Sequence, residues 1–531
     1  MPGVPNAERS PSRPPAVRGG RGALVRGAGA GLVASLVALG VAELVAALVR
    51  PQASPVIAVG GSVIDATPVW LKDFAIRTFG TNDKPVLIGS ILMVLVALAL
   101  LTGALAVRRI AVGLLGIAVL GLVVAGAALT RPGAGPADAL PSLVGAFVGA
   151  IVLVALLRRL PAASAADEEH DTSTVSAGRR RFLLAGLGAA GVGILAGSAG
   201  RLVSARRGAV AAARADVRLP EPVSPAAPVP RGSDLKLPDL SPFRTPNSDF
   251  YRVDTALVVP QVSTEGWTLR VHGMVEREIE LDFDQLLDRG LVERDVTLAC
   301  VSNEVGGKYV GNARWLGVLL ADLLREAGVQ RRADMILSRS ADGMTISTPT
   351  AVVMDGRDAL LAVGMNGAPL PPEHGFPVRM VVPGLYGYVS ATKWLVELEL
   401  TRFDRVEAYW TERGWAEQAP IKTMSRVDTP KPFARLRPGL VAVAGVAWAQ
   451  HRGIERVEVR VDEGPWQLAR LAEVPSADTW RQWVWQWEAT RGSHTLEVRA
   501  TDRTGMTQPA RRADPFPSGA TGWHSTVVTV A

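Results

Sequence analysis

The chain has 531 residues, 48% of them hydrophobic, and a formal net charge of +7. That length exceeds one compact domain, and an apolar surplus gathered in roughly the first 200 residues points to membrane spans. A single cysteine, Cys300, excludes an internal disulfide, a cysteine-ligated zinc finger and an iron–sulfur cluster.

Residues 1–23 read as a cytoplasmic tail carrying Arg9, Arg13, Arg18 and Arg21. An anchor over residues 24–203 follows, with spans predicted near 24–49, 86–107, 110–129, 139–157 and 182–203. Arg108 and Arg109 part the second and third spans; Arg158, Arg159 and Arg179–Arg181 part the fourth and fifth. This bias places the N-terminus inside the cell, and five crossings deliver the rest of the chain outside, on a plasma membrane. Glu43 is an intramembrane charge, and residues 50–85, with Trp70, Phe74 and Phe79, suit the interface. The excess arginine thus reads as topology, and no nucleic-acid partner is expected.

The run Arg179-Arg180-Arg181-Phe182-Leu183-Leu184 resembles a twin-arginine export signal, which sends folded, usually cofactor-loaded cargo across a membrane. Gly186-x-Gly188-x-x-Gly191 has no preceding strand and reads as a helix-packing face, not as a dinucleotide site. His170, His272, His374, His451, His494 and His524 all lie outside the five stretches, so no haem is expected.

Residues 204–240 are rich in Pro and Ala and predict an extended, semi-stiff linker. Beyond it, 267–273 and 295–300 alternate as strands, 280–289 reads as a short amphipathic helix, and 315–327 has helical apolar spacing. Strands near 335–339, 378–382 and 394–400 complete an α+β pattern. From Gly439 onward the pattern is all strand, at 440–448, 456–461, 466–471, 482–487, 495–500 and 525–530, which suggests an immunoglobulin-like sandwich with Trp483, Trp485 and Trp487 in its core.

Cys300 ends a strand and opens a Gly-rich loop, CVSNEVGG. A thiolate there is a soft metal ligand, and glycines admit a large group; a lone cysteine is otherwise a small buried hydrophobe. His374, Arg379 and Lys393 gather cations among Gly and Pro, suiting a phosphate or, equally, an ordinary surface.

Five blocks, TPNSDFYRVD (245–254), LACVSNEVGG (298–307), NARWLGVLLADLL (312–324), MNGAPLPPEHGFPVRMVVPGLYGY (365–388) and TKWL (392–395), resemble the sulfite-oxidase family in their order. The stretch 443–471 is similar to that family's molybdenum-cofactor dimerisation domain, and the anchor to membrane-anchored bacterial versions. The resemblance implies a molybdopterin-binding oxidoreductase domain over 241–404 and an Ig-like domain over 405–531, with a homodimer through the latter. It makes Cys300 the molybdenum ligand and catalytic thiolate, and places Asn247, Tyr251, Arg252, Ser340, His374, Arg379 and Lys393 around the molybdenum–molybdopterin cofactor. Sulfite oxidases carry a more basic sequence after the cysteine, and Arg452 falls within about one position of their substrate arginine. The implied activity is two-electron oxygen-atom transfer on a small molecule, by sulfoxide or N-oxide reduction or sulfur-oxyanion oxidation, with a separate electron partner or a quinone. The alternatives are an inactive envelope scaffold that kept the fold, or a transporter built on residues 24–203.

Overall fold

The structure, a computed structural model, describes residues 21–68, 71, 74, 78–79, 83–131, 134–159, 172–207 and 210–531. Arg9, Arg13, Arg18, Trp70, His170 and the side chains of Arg179–Phe182 lie outside the described residues. The chain folds as two compact units, Met1–Arg207 and Gly208–Ala531.

In the first unit, α1 (Arg21–Val49), α3 (Asp83–Arg108), α4 (Ile110–Leu129) and α5 (Leu140–Leu157) are each long and apolar enough to cross a membrane. The predicted fifth span falls within α6 (Thr172–Arg207), whose described apolar run is Leu184–Gly200. The 50–85 segment contains a further apolar helix, α2 (Pro55–Ala66); its 12 residues rise only about 18 Å.

Small residues let α1 sit at the centre of this bundle. A methyl group at Gly40 would overlap the backbone of Gly193 in α6, and one at Gly145 in α5 would meet the Ala38 carbonyl oxygen at 2.5 Å. The expected packing face is displaced by one step along α6. Gly186, Gly188 and Gly191 face open space, while Gly193 and Gly200 touch α1. Polar groups are paired: Arg50 with Asp138 at 2.5 Å, Arg131 with Asp65 at 2.7 Å, and Glu43 accepting from Ser54 Oγ at 2.6 Å.

The second unit opens with α7 (Val210–Asp216). The Pro-rich segment after it does not stand free. Val223 N donates to Leu291 O at 2.8 Å, Glu293 N to Ser224 O at 2.9 Å, and Leu235 N to Gln482 Oε1 at 2.7 Å, so the segment lies along the fold. Proline removes a donor but leaves carbonyls and the intervening N–H groups free to pair.

Ten strands follow: β1 (Thr268–Gly273), β2 (Ile279–Asp282), β3 (Val292–Ala299), β4 (Val310–Leu319), β5 (Met335–Ser340), β6 (Thr345–Pro349), β7 (Leu360–Met365), β8 (Ala368–Pro369), β9 (Arg379–Val381) and β10 (Leu395–Thr401). They form two sheets, β2-β1-β10-β5-β6 and β3-β4-β7-β8 with β9 on β7. One apolar core joins them, from Leu269 and Val271 to Leu316, Val318, Leu398 and Leu400.

Two helix predictions change. Residues 280–289 begin as β2 and become helical only at α8 (Phe283–Leu287), where Asp282 accepts from Gln285 N and the Gln285 side chain returns the bond. Residues 315–319 belong to β4, and only α9 (Leu320–Ala327) is helical. Trp315 pairs with Arg294 in β3 and with Met365 in β7. A central strand buried on both faces reads as a continuous apolar run and so mimics a buried helix.

The remaining strands are β11 (Met424–Thr429), β12 (Arg435–Leu436), β13 (Gly439–Trp448), β14 (Ile454–Val461), β15 (Gln467–Leu468), β16 (Arg470–Leu471), β17 (Arg481–Ala489), β18 (Gly492–Asp502) and β19 (His524–Val530). Sheets β11-β13-β17-β16 and β12-β19-β18-β14-β15 share a core of Val443, Trp483 and Trp487 with Val457, Val459, Val498 and Val528. The strand expected at 466–471 splits, β15 joining one sheet and β16 the other.

Candidate functional site

The β3–β4 hairpin sets Cys300 at the head of its loop. Cys300 N donates to Tyr309 O at 2.9 Å, Asn303 N to Cys300 O at 3.1 Å, and Tyr309 N to Asn303 Oδ1 at 2.8 Å, which closes the turn on itself. The thiol is buried, with Ser302 Oγ 2.9 Å from its sulfur. Burial pushes the Cys300 thiol up, opposed by the Ser302 hydrogen bonds and the charge of Lys393.

β9 and the turn before it bring in the cations. Arg379 is buried, and among the described residues its guanidinium bonds only carbonyl oxygens, His374 O at 3.0 Å and Ala391 O and Met380 O at 3.4 Å, while lying 5.0 Å from the Trp315 ring centroid. No carboxylate offsets it, and burial lowers its pKa to about 10. Lys393 sits at 2.7 Å from Asp254, which also pairs with Arg252 at 2.7 Å. Burial lowers Lys393 to about 8 despite Asp254. Burial opposes the charge on Arg252 as well, but the hydrogen bond and charge of Asp254 raise its pKa.

The opening block folds against these groups. His374 is buried, and its Nε2 lies 3.1 Å from the Asn247 carbonyl oxygen. A carbonyl only accepts, so Nε2 carries the proton and Nδ1 is left as an acceptor. Burial, with Arg379 nearby, lowers His374 to about 4, so it is neutral at physiological pH. The Asn247 side chain is fixed by Asn366 Nδ2 at 2.7 Å. Tyr251 stacks on Phe250 at 5.2 Å and neighbours Tyr309 at 6.3 Å; burial raises its phenol. Ser340 is buried opposite Leu395, one residue from Trp394, and its hydroxyl oxygen accepts from Asp342 N at 3.5 Å.

Cys300, Asn247, Tyr251, Arg252, His374, Arg379 and Lys393 therefore share one neighbourhood, linked through these bonds and through electrostatic coupling of Cys300 to Tyr251 and Lys393. Reading the sequence missed Asp254, which ties Arg252 to Lys393 although it closes the quoted TPNSDFYRVD block. It also missed Tyr386, a buried phenol raised to about 12 by burial and coupled to both Cys300 and Arg452. The C-terminal sheets contribute Arg426, whose Nη1 donates to Gly307 O at 2.6 Å, and His524, whose ring packs on Gly306. No local spacing marks these two, because they reach the loop from more than a hundred residues away.

A molybdenum–pterin group fits this donor set. The thiol supplies a soft ligand, and a buried, uncompensated guanidinium beside a second cation suits a phosphate. Arg379, Lys393 and Arg252 are the residues able to hold that phosphate, with His374 and Asn247 beside them.

The family "Oxidoreductase molybdopterin binding domain" matches residues 256–410. The mitochondrial sulfite oxidase of Drosophila melanogaster is 30% identical over 327 residues, covering 51% of this chain and 56% of that protein, so the chain spans little more than half of it. Sulfite oxidase of Gallus gallus is 30% identical over 319 residues, covering 50% of this chain and 68% of its own length. Among solved structures, the sulfane dehydrogenase SoxCD from Paracoccus pantotrophus aligns with 24% identity and a TM-score of 0.48, over 54% of this chain and 83% of its own. With the family match over 256–410 and a sulfite oxidase 30% identical across 68% of its own length, the chain belongs to the sulfite oxidase family of molybdopterin-binding oxidoreductases.

Proposed function

We propose that this chain is a membrane-anchored, extracytoplasmic molybdenum–molybdopterin enzyme that exchanges an oxygen atom and two electrons with a small, uncharged oxide such as a sulfoxide or N-oxide. The observation that carries the reading is a buried Cys300 thiol sharing its neighbourhood, through Tyr251, with a buried cation, Arg379, whose guanidinium bonds only carbonyl oxygens among the described residues. When bound, the cofactor supplies two-electron oxygen-atom transfer. The chain supplies the thiolate at Cys300, the phosphate clamp at Arg379, Lys393 and Arg252, and a neutral His374 that donates through Nε2 and accepts through Nδ1. Tyr251 lies beside the thiol, Asn247 orients His374, and Ser340 pairs with Leu395 at the start of β10, two residues after Lys393.

Charge around the Cys300 loop favours an uncharged substrate over a sulfur oxyanion. Arg426 is held by Asp428 at 2.6 Å and Arg452 by the buried Asp502 at 2.8 Å, so neither is a free cation for an anionic substrate. Burial works against the Asp502 carboxylate, yet bonds from Thr423, Thr504 and Arg452 hold its pKa well below the ordinary range, which fixes the pair. Arg452 is thus committed to its own carboxylate.

Electrons pass to or from a separate protein or a membrane quinone, and the two-sheet C-terminal domain is read as the Ig-like dimerisation module. Metal analysis and a substrate screen with a redox dye test this. Protein from a molybdenum-replete host is expected to carry about one molybdenum, and Cys300→Ala to lose activity. A metal-free native protein would overturn the reading, as would activity surviving in Cys300→Ala.

A further inference from the structure

We propose that the groove between α4 and α5 is a binding site for an anionic phospholipid, with one acyl chain along the groove and the phosphodiester at Arg158 and Arg109. The groove has a volume of about 330 Å³ and is lined by Leu114, Phe147, Ile151, Val154 and, at one end, Arg158. From Phe147 to Arg158 the helix rises about 16 Å, the reach of an extended acyl chain rather than of a compact metabolite.

The helix register places a second cation at the same end. A methyl group added at Gly121 in α4 would meet the Ala146 side chain in α5 at 2.6 Å, so these two positions face each other in antiparallel helices. Twelve residues back along α4 and twelve forward along α5, about 18 Å at helical rise, Arg109 comes level with Arg158. Arg108 and Arg159 are their neighbours, and all four are exposed. Among the described residues none of the four makes an ion pair, whereas Arg50 and Arg131 at the opposite end are each paired with an aspartate. An apolar channel ending at unpaired guanidinium groups is complementary to a lipid with a negative headgroup. Basic pockets between spans on the inner face are where such headgroups bind. A zwitterionic lipid would fill the groove but leave the cations unmatched.

The inference rests on the membrane part of the proposed function and is independent of the redox chemistry. Its test uses the full chain extracted from membranes in mild detergent, offered phosphatidylglycerol and phosphatidylcholine in equal amounts, with retained lipid read by native mass spectrometry. Phosphatidylglycerol is expected to be retained preferentially, by about fivefold for each arginine engaged. The Arg109→Gln/Arg158→Gln double variant is expected to lose the preference and the Arg109→Lys/Arg158→Lys variant to keep it. Ala150→Trp, which fills the groove with both arginines in place, is expected to lose the retained lipid. Equal retention of the two lipids by the native chain overturns the site, as does a preference that survives Arg109→Gln/Arg158→Gln or Ala150→Trp. A native chain that fractionates as a soluble protein overturns the anchor as well, which separates failure of the site from failure of the reading beneath it.

Discussion

Arg379 shows how a single residue can be arranged for a ligand at the expense of the empty fold. A buried cation without an acid partner destabilises the protein around it, and removing it relieves that penalty. Arg379→Met keeps the aliphatic length and drops the charge. The cofactor-free protein is then expected to gain about 1–3 kcal/mol, while cofactor content in protein from a replete host falls. All tryptophans except Trp70 lie in the second unit, so fluorescence-detected unfolding of the intact chain reads that stability. Histidine protonation works in the opposite sense. Burial, the largest cause in both cases, lowers His374 and His524 to about 4. Between pH 6.5 and 4 the unfolded chain binds protons that the folded chain refuses. Stability is therefore full above pH 6.5 and falls as the pH drops toward 4, by roughly 3 kcal/mol for each histidine. Melting temperature against pH checks this, and His524→Gln should remove about half of the acid loss.

Elements far apart in the chain meet at the loop after β3. Gly306 has φ +77, and a methyl group there would run into the His524 ring at the start of β19, while Arg426 in β11 holds the next carbonyl. Gly306→Ala is expected to lower stability by about 2–4 kcal/mol through backbone strain and overlap combined. It should also broaden the electronic signature of the thiolate–metal bond, which absorption or paramagnetic resonance spectra of the loaded protein would show. This clamp marks where reading the sequence stopped being enough. Alternation exposed β1, β5, β10 and most C-terminal strands, and the Cys300, His374 and Lys393 blocks were visible because each is local. Residues 315–319 misled because a strand covered on both faces loses its alternation, and 280–289 because a capping box after a short strand extends the apparent helix. Asp254 and Tyr386 lie inside quoted blocks, but nothing local marks their pairing with distant groups; Arg426 and His524 carry no periodic or motif signal, and only the sheet order brings them to the loop.

At the scale of the whole molecule, the number of membrane crossings decides on which side the second unit works. Among the described residues four helices meet the length and hydropathy expected of a span, and four crossings would return the chain to the side of its N-terminus. α6 is the weaker candidate by composition, since glycine and alanine dilute its apolar character. Its packing argues for a fifth crossing: Gly193 lies against Val37 and Gly200 against the backbone at Glu43, so α6 follows α1 through the depth of the bundle rather than resting on its rim. A helix held by close backbone contact needs less side-chain hydrophobicity to stay in a bilayer, because its inward face meets protein instead of lipid. With the N-terminus inside, the arginine pairs at 108–109 and 158–159 would lie on the inner side, the placement that the positive-inside bias favours. A phosphatase domain fused after Ala531, active only outside the cytoplasm, is expected to be active in the full chain and inactive when 172–207 is deleted. Activity in neither would leave the second unit on the cytoplasmic side and remove export from the proposed function, and activity in both would overturn α6 as the crossing that exports it.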